Sequence, residues 1–188
     1  YYDHRYGFIN QLSTPGGSFR ERYPWEAYGL ASGSVDLGLG SLAYHTARAA
    51  NSGFWAIRGG LTIRPGSEFH NSGVLQVNQS VQIQGQGTAR GRLENRGSLT
   101  APQIFGNGSL VMDGEDDGLA RLSTSGEIAV SHMRLLGESE TTVGTDLRIR
   151  SLLETQGGIG GDNPDSDSRA WLSVQSATIL EEGASMNL

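Results

Sequence analysis

A short unit recurs along this chain: Asn or Thr, any residue, Gly, any residue, then two apolar positions separated by one. It stands at Asn51-Ser52-Gly53-Phe54-Trp55-Ala56-Ile57, at Asn71-Ser72-Gly73-Val74-Leu75-Gln76-Val77 and at Asn95-Arg96-Gly97-Ser98-Leu99-Thr100-Ala101. A fourth copy is read at Thr124-Ser125-Gly126-Glu127-Ile128-Ala129-Val130. The glycines fall at 53, 73, 97 and 126, separations of 20, 24 and 29, and self-similarity at such periods is the signature of a solenoid. Asn and Gly tolerate the left-handed backbone of a sharp corner, and apolar-x-apolar is the smallest strand with one buried face. Each copy therefore reads as a corner followed by one side of a coil.

The same minimal strand recurs between copies, at Leu61/Ile63, Val81/Ile83, Leu110/Met112, Met133/Leu135, Leu147/Ile149, Leu172/Val174 and Ala177/Ile179. Close pairs such as Leu75 with Val81, Ile128 with Met133 and Leu172 with Ala177 fit a tight bend between adjacent sides. Helical spacing of apolar residues is nearly absent. The expected fold is all-β, a right-handed parallel β-helix over residues 51–188 with about five or six rungs, in which stacked like positions share one core. Residues 1–50 form a separate, non-repeat segment, since the corner unit is absent there and all six Tyr cluster in it beside Trp25, Phe8 and Phe19. Residues 41–50 hold good helix formers after Ser41, so one short helix is predicted at that place.

Composition narrows the function classes. Gly makes up 28 of 188 residues, about twice ordinary usage, which marks a turn-rich chain and not a collagen-like one. The net charge is −6 and every basic residue is Arg, which argues against general nucleic-acid binding, because that needs a basic surface to displace counterions from phosphate. With no Cys, disulfides and thiolate metal sites are ruled out. No run approaches the ~18 apolar residues of a membrane span. The chain opens on Tyr1-Tyr2 without a start Met or a leader-like segment, and is read as part of something longer.

The Asn-x-Gly-x-Leu-x-Val/Ala unit with strand pairs between copies resembles the repeats of filamentous haemagglutinin-like exoproteins, the long adhesins and contact-dependent growth inhibition effectors exported by two-partner secretion. The resemblance covers roughly residues 51 to 180 and is carried best by Asn71 to Ile83 and Asn95 to Ala101. It departs in its uneven rung lengths, in the loss of Asn from the fourth copy and in the lack of a clean copy after Val130. It implies a secreted filament on the surface of a Gram-negative bacterium, whose non-repeat regions recognise a receptor on a target cell.

Individual chemical motifs are weaker. Gly157-Gly158-Ile159-Gly160-Gly161-Asp162 begins like the calcium nonapeptide of β-rolls, but Pro164 stands where a large apolar residue belongs and there are no tandem copies. Asp162, Asp165 and Asp167 lack the Glu of an EF-hand loop, so a solvated loop is the simpler reading. Asp113, Glu115, Asp116 and Asp117 raise the question of an acid/base or calcium site of a polysaccharide enzyme, against the simpler reading of an exposed turn leaving the rung. The four His, at 4, 45, 70 and 132, lack paired-ligand spacing. There is no Gly-x-Ser-x-Gly and no phosphate-cradling loop ending in Lys. No cofactor and no metal are expected.

The candidate partner-binding residues are Arg20, Arg22, Tyr23, Trp25 and Tyr28, since rigid aromatics and forked Arg donors dominate binding hot spots. The alternative is that these aromatics fold over the open end of the coil and cover its strand edges. The leading expectation is a non-catalytic, receptor-binding or filament segment of a surface exoprotein, with a protein or glycan on a target cell as partner. The rival is a carbohydrate-active β-helix enzyme or a phage tailspike-like polysaccharide-binding domain.

Overall fold

The computed structural model describes residues 29–31, 35–37, 48–114, 118–156 and 170–187. Among them every regular element is a strand, and the strands wind into a right-handed parallel β-solenoid of about five turns. β1 (Gly29–Ala31) and β2 (Val35–Leu37) come first, and β3 (Arg48–Asn51), β4 (Phe54–Ile57) and β5 (Leu61–Ile63) make the next turn. β6 (Glu68–Asn71), β7 (Val74–Val77) and β8 (Ser80–Ile83) repeat it. A small antiparallel hairpin, β9 (Gly85–Gln86) with β10 (Ala89–Arg90), then leaves the coil.

The coil resumes with β11 (Arg92–Asn95), β12 (Ser98–Ala101) and β13 (Gln103–Phe105), and continues through β14 (Ser109–Gly114) and β15 (Ala120–Thr124). Further along, β16 (Ile128–Gly137) and β18 (Leu147–Gln156) each run through a corner, with β17 (Ser139–Val143) between them. β19 (Ala170–Val174), β20 (Thr178–Leu180) and β21 (Ser185–Asn187) complete the described chain.

Stacking sorts these strands onto three faces. The first holds β3, β6, β11, β14, the later halves of β16 and β18, and β21. The second holds β1, β4, β7, β12, β15, β17 and β19. The third holds β2, β5, β8, β13, the early halves of β16 and β18, and β20. Alternation along each strand sends every second side chain inward, so like stacks on like. Ala49, Phe69, Leu93, Leu110, Met133 and Leu153 form one buried column, and Leu61, Val81, Ile104, Ile128 and Leu147 another. At one end the rings of Trp55 and Phe69 meet at 5.6 Å, joining the second face to the first.

The corner works differently from the expectation. Among the described residues none other than Gly has a positive φ, and the positive-φ glycines there are 66, 87, 106, 118, 137 and 183, none of them in a corner unit. What the corner needs from Asn is its amide. Asn51, Asn71 and Asn95 stack in register with their side chains buried. Asn51 Nδ2 donates to Asn71 Oδ1 at 2.7 Å, and Asn71 Nδ2 donates to Asn95 Oδ1 at 2.6 Å. Each Nδ2 also lies within reach of a carbonyl on the next rung, Val74, Ser98 and Arg121 in turn. The ladder ends where Asn95 Nδ2 meets the Met112 sulfur at 3.8 Å. What the corner needs from Gly is the missing side chain, because a Cβ at Gly73 would run into the Gly53 carbonyl and one at Gly97 into that of Gly73.

Further expectations are corrected by the register. Thr124 stacks on Ala101 and Val143, whereas the Asn column continues through Met112, so the fourth copy belongs to a different corner and its separation of 29 is not a period. Residues 48–51 lie in a strand where the predicted helix was to end, because pairing with Glu68–Asn71 overrides helix propensity; residues 41–47 lie outside the described residues. Asp113 does not leave the rung in an exposed turn: with Gly114 it extends β14 opposite Leu136 and Gly137. In the last turn the register stacks Thr178 and Leu180, and not Ala177 and Ile179, on Leu147 and Ile149, although Thr178 and Leu180 are exposed at this end and Ile179 is half-buried.

Candidate functional site

The outward side of the first face carries the densest charge chemistry among the described residues. The register that stacks the asparagines also stacks their neighbours, so His70 lies beneath Glu94, and Glu68 beneath Arg92. Glu94 points outward from its sheet, yet its side chain is only 7% exposed, because three cationic groups close over it. Arg92 reaches it at 2.6 Å, Arg96 Nε at 2.9 Å and His70 Nδ1 at 3.5 Å. Arg96 also grips Asp113 on the next rung at 2.9 Å, and Glu68 stands 3.7 Å from His70 Nε2.

The hydrogen bond from His70, then its charge and that of Arg92, pull Glu94 down to about 2, against the opposing effect of burial. In return Glu94, as hydrogen-bond acceptor and as charge, holds His70 above its ordinary value despite partial burial. These six groups balance only when His70 carries its proton. A carboxylate held near 2 between two guanidiniums is no proton donor at neutral pH, so the arrangement acts as an electrostatic clamp across β6, β11 and β14. The same face continues with Arg134 and Glu154 at 2.7 Å. Burial, with the Arg90 guanidinium against its ring, lowers the pKa of His132.

The second face is built on another principle. Its first outward column runs Phe54, Val74, Ser98, Arg121, Glu140, Trp171, and its second runs Ala56, Gln76, Thr100, Ser123, Thr142, Ser173. The second column is free of charge throughout. Trp171 is 55% exposed, the most open large apolar side chain among the described residues.

The sequence-predicted partner-binding residues Arg20, Arg22, Tyr23, Trp25 and Tyr28 lie outside the described residues, as do Glu115, Asp116, Asp117, His4, His45 and the glycine-rich run 157–168. Of the acidic cluster the structure places Asp113 alone, on Arg96. Among the described residues no group of three or more His, Asp or Glu could hold a metal ion, and no helix is long and apolar enough to cross a membrane. The Glu94 clamp was missed by sequence reasoning, although projecting the Asn71/Asn95 register one and three residues back would have stacked His70 on Glu94 and Glu68 on Arg92. Trp171 was missed too, although Leu172 and Val174 inward require it to point outward. Neither a protein-family model, nor a curated protein, nor a solved structure matches the chain.

Proposed function

We propose that the chain is a non-catalytic section of a secreted exoprotein on the surface of a Gram-negative bacterium, an adhesin or growth-inhibition effector. In this reading the coil supplies length and stiffness, and Arg20, Arg22, Tyr23, Trp25 and Tyr28 contact a receptor on the target cell. The observation that supports it is the parallel stacking of the coil strands from β3 to β21, interrupted only by the β9–β10 hairpin, in which Glu94, Asp113 and Glu154 of the first face pair with cationic groups on neighbouring rungs. Such a stacked array is suited to presenting a segment at a distance, and its stability grows by neighbour contacts and not by one central core.

The test is binding of the fluorescently labelled chain to Gram-negative cells, read by flow cytometry. Replacing Tyr23, Trp25 and Tyr28 together by Ala is expected to lower cell binding at least tenfold while the circular dichroism stays that of the parent. Unchanged binding removes the assignment of that segment. Release of new reducing ends from a bacterial polysaccharide by the unmodified chain, with or without calcium, would replace the reading by the carbohydrate-active one.

A further inference from the structure

We infer that the outward side of the second face is a binding surface for an uncharged polysaccharide lying along the coil axis, with Trp171 as its stacking platform. The surface is independent of residues 20–28. Parallel stacking repeats each outward position at the spacing between adjacent strands, about 4.8 Å. Along the second column this sets out Gln76, Thr100, Ser123, Thr142 and Ser173 as successive side chains that both donate and accept hydrogen bonds. All but the half-buried Thr142 are exposed. Trp171 shares β19 with Ser173, so the indole and the end of the polar row stand on one side of one strand.

This pairing fits the chemistry of a sugar chain. A pyranose offers hydroxyls around its rim and a patch of C–H groups on its face; the hydroxyls match a row of Ser, Thr and Gln, and the C–H face matches an exposed indole. The Arg121 and Glu140 side chains, paired at 3.4 Å beside the row, offer a donor and an acceptor without net charge. Other partner classes fit less well. A nucleic acid would meet a face with one Arg already paired to Glu, on a chain of net charge −6. A protein partner needs a contiguous apolar centre, but the apolar pair Phe54 and Val74 at one end is separated from Trp171 at the other, four strand spacings or about 19 Å from Val74, by Ser98, Arg121 and Glu140.

The contrast with the first face favours the same conclusion. There the outward groups are occupied by one another, as in the grip on Glu94, so an incoming ligand would have to break ion pairs before it gained contacts. Apart from Gln76, the second column presents short side chains that lose little rotamer freedom on binding, and a flat repeat that matches a polymer better than a compact ligand.

The full chain should be run in native gels cast with dextran, amylose, a mixed-linkage β-glucan or galactomannan, against a gel with none. Retardation by at least one of these is expected, together with a shift of tryptophan emission on adding its hexasaccharide. Trp171→Ala should weaken retardation at least tenfold and Trp171→Tyr only a few-fold. The double change Thr142→Val, Ser173→Ala should weaken it roughly threefold. Because Trp171 and Ser173 are exposed, these variants should keep the parent circular dichroism, which is checked alongside. No retardation of the unmodified chain in any of the four gels, or equal retardation of folded Trp171→Ala, overturns the inference. Neither result bears on cell binding by the Tyr23, Trp25, Tyr28 variant, so the two readings fail separately.

Discussion

Asn71 sits at the middle of the buried amide ladder, accepting from Asn51 and donating to Asn95. Asn71→Ala takes the acceptor from one N–H of Asn51, whose Nδ2 keeps the Val74 carbonyl, and the donor from Asn95 Oδ1, so a loss of about 2–4 kcal/mol is expected in urea unfolding. A variant as stable as the parent would mean that the ladder contributes nothing net. Thr141 presents the opposite case: it faces inward on the column of Leu122 and Leu172, and its hydroxyl has no hydrogen-bond partner. Thr141→Val keeps the shape and removes the stranded group, and should raise stability by about 1 kcal/mol in the same measurement. The Glu94 clamp gives a pH signature. Glu94, held at about 2 when folded, contributes in full above its unfolded value of roughly 4.3 and loses that contribution as pH falls through about 2. His70, raised when folded, contributes in full below roughly 6.5 and loses it as pH rises through its folded value. The clamp's stabilisation therefore peaks between about pH 4.3 and 6.5. His70→Gln should flatten the alkaline limb of the urea midpoint plotted against pH, and an unchanged limb would dissociate His70 from it.

Between elements, the decisive contact is backbone against backbone at the stacked corners. Val74 N donates to Gly53 O at 2.7 Å, and Ser98 N to Gly73 O at 2.8 Å, repeating one geometry from rung to rung. Gly97→Ala must part the rungs or bend the corner, and a loss of about 2 kcal/mol or more is expected, in the range of an overpacked core. Gly60→Ala, whose added methyl meets only a 3.0 Å approach, should cost less, and the reverse order in thermal melts would show that the Gly97 corner yields freely. This layer of the structure was the most legible from sequence. Leu61/Ile63, Val81/Ile83, Leu110/Met112 and Leu147/Ile149 read directly as strands, because a two-residue apolar face is itself the strand. Strands ending in Asn, such as Glu68–Asn71 and Arg92–Asn95, were hidden because their inward pair includes a polar residue. An inward Asn looks like a turn signal until its partner one rung away is known. Thr124-Ser125-Gly126 misled for a related reason, since Thr124 Oγ1 donates to Gly126 O at 3.0 Å and mimics the Asn corner locally in a different column. The charged clamp was illegible without register, since its members are scattered from Glu68 to Asp113. Trp171 needed only the alternation.

At the scale of the whole molecule, a coil without a central nucleus should protect its amides by position along the axis. Hydrogen exchange is expected to be slowest in β7, β12 and β15, stacked on both sides, and fastest in β21, whose residues are exposed. Uniform exchange from β7 to β21 would instead show all-or-none opening. Rung length is not constant: from Asn51 to Asn71 it is 20 residues, from Asn71 to Asn95 it is 24, and from Asn95 to Met112 it is 17. The extra residues of the second of these turns leave as the β9–β10 hairpin, whose base is tied by Asn107 through bonds of 2.8 and 2.9 Å to Gly85. The spine of stacked amides, indifferent to what the chain does at the opposite corner, thus makes this hairpin a natural grafting point. A foreign epitope spliced between Gln86 and Ala89 would inherit a fixed height on the rod and a fixed compass bearing around it.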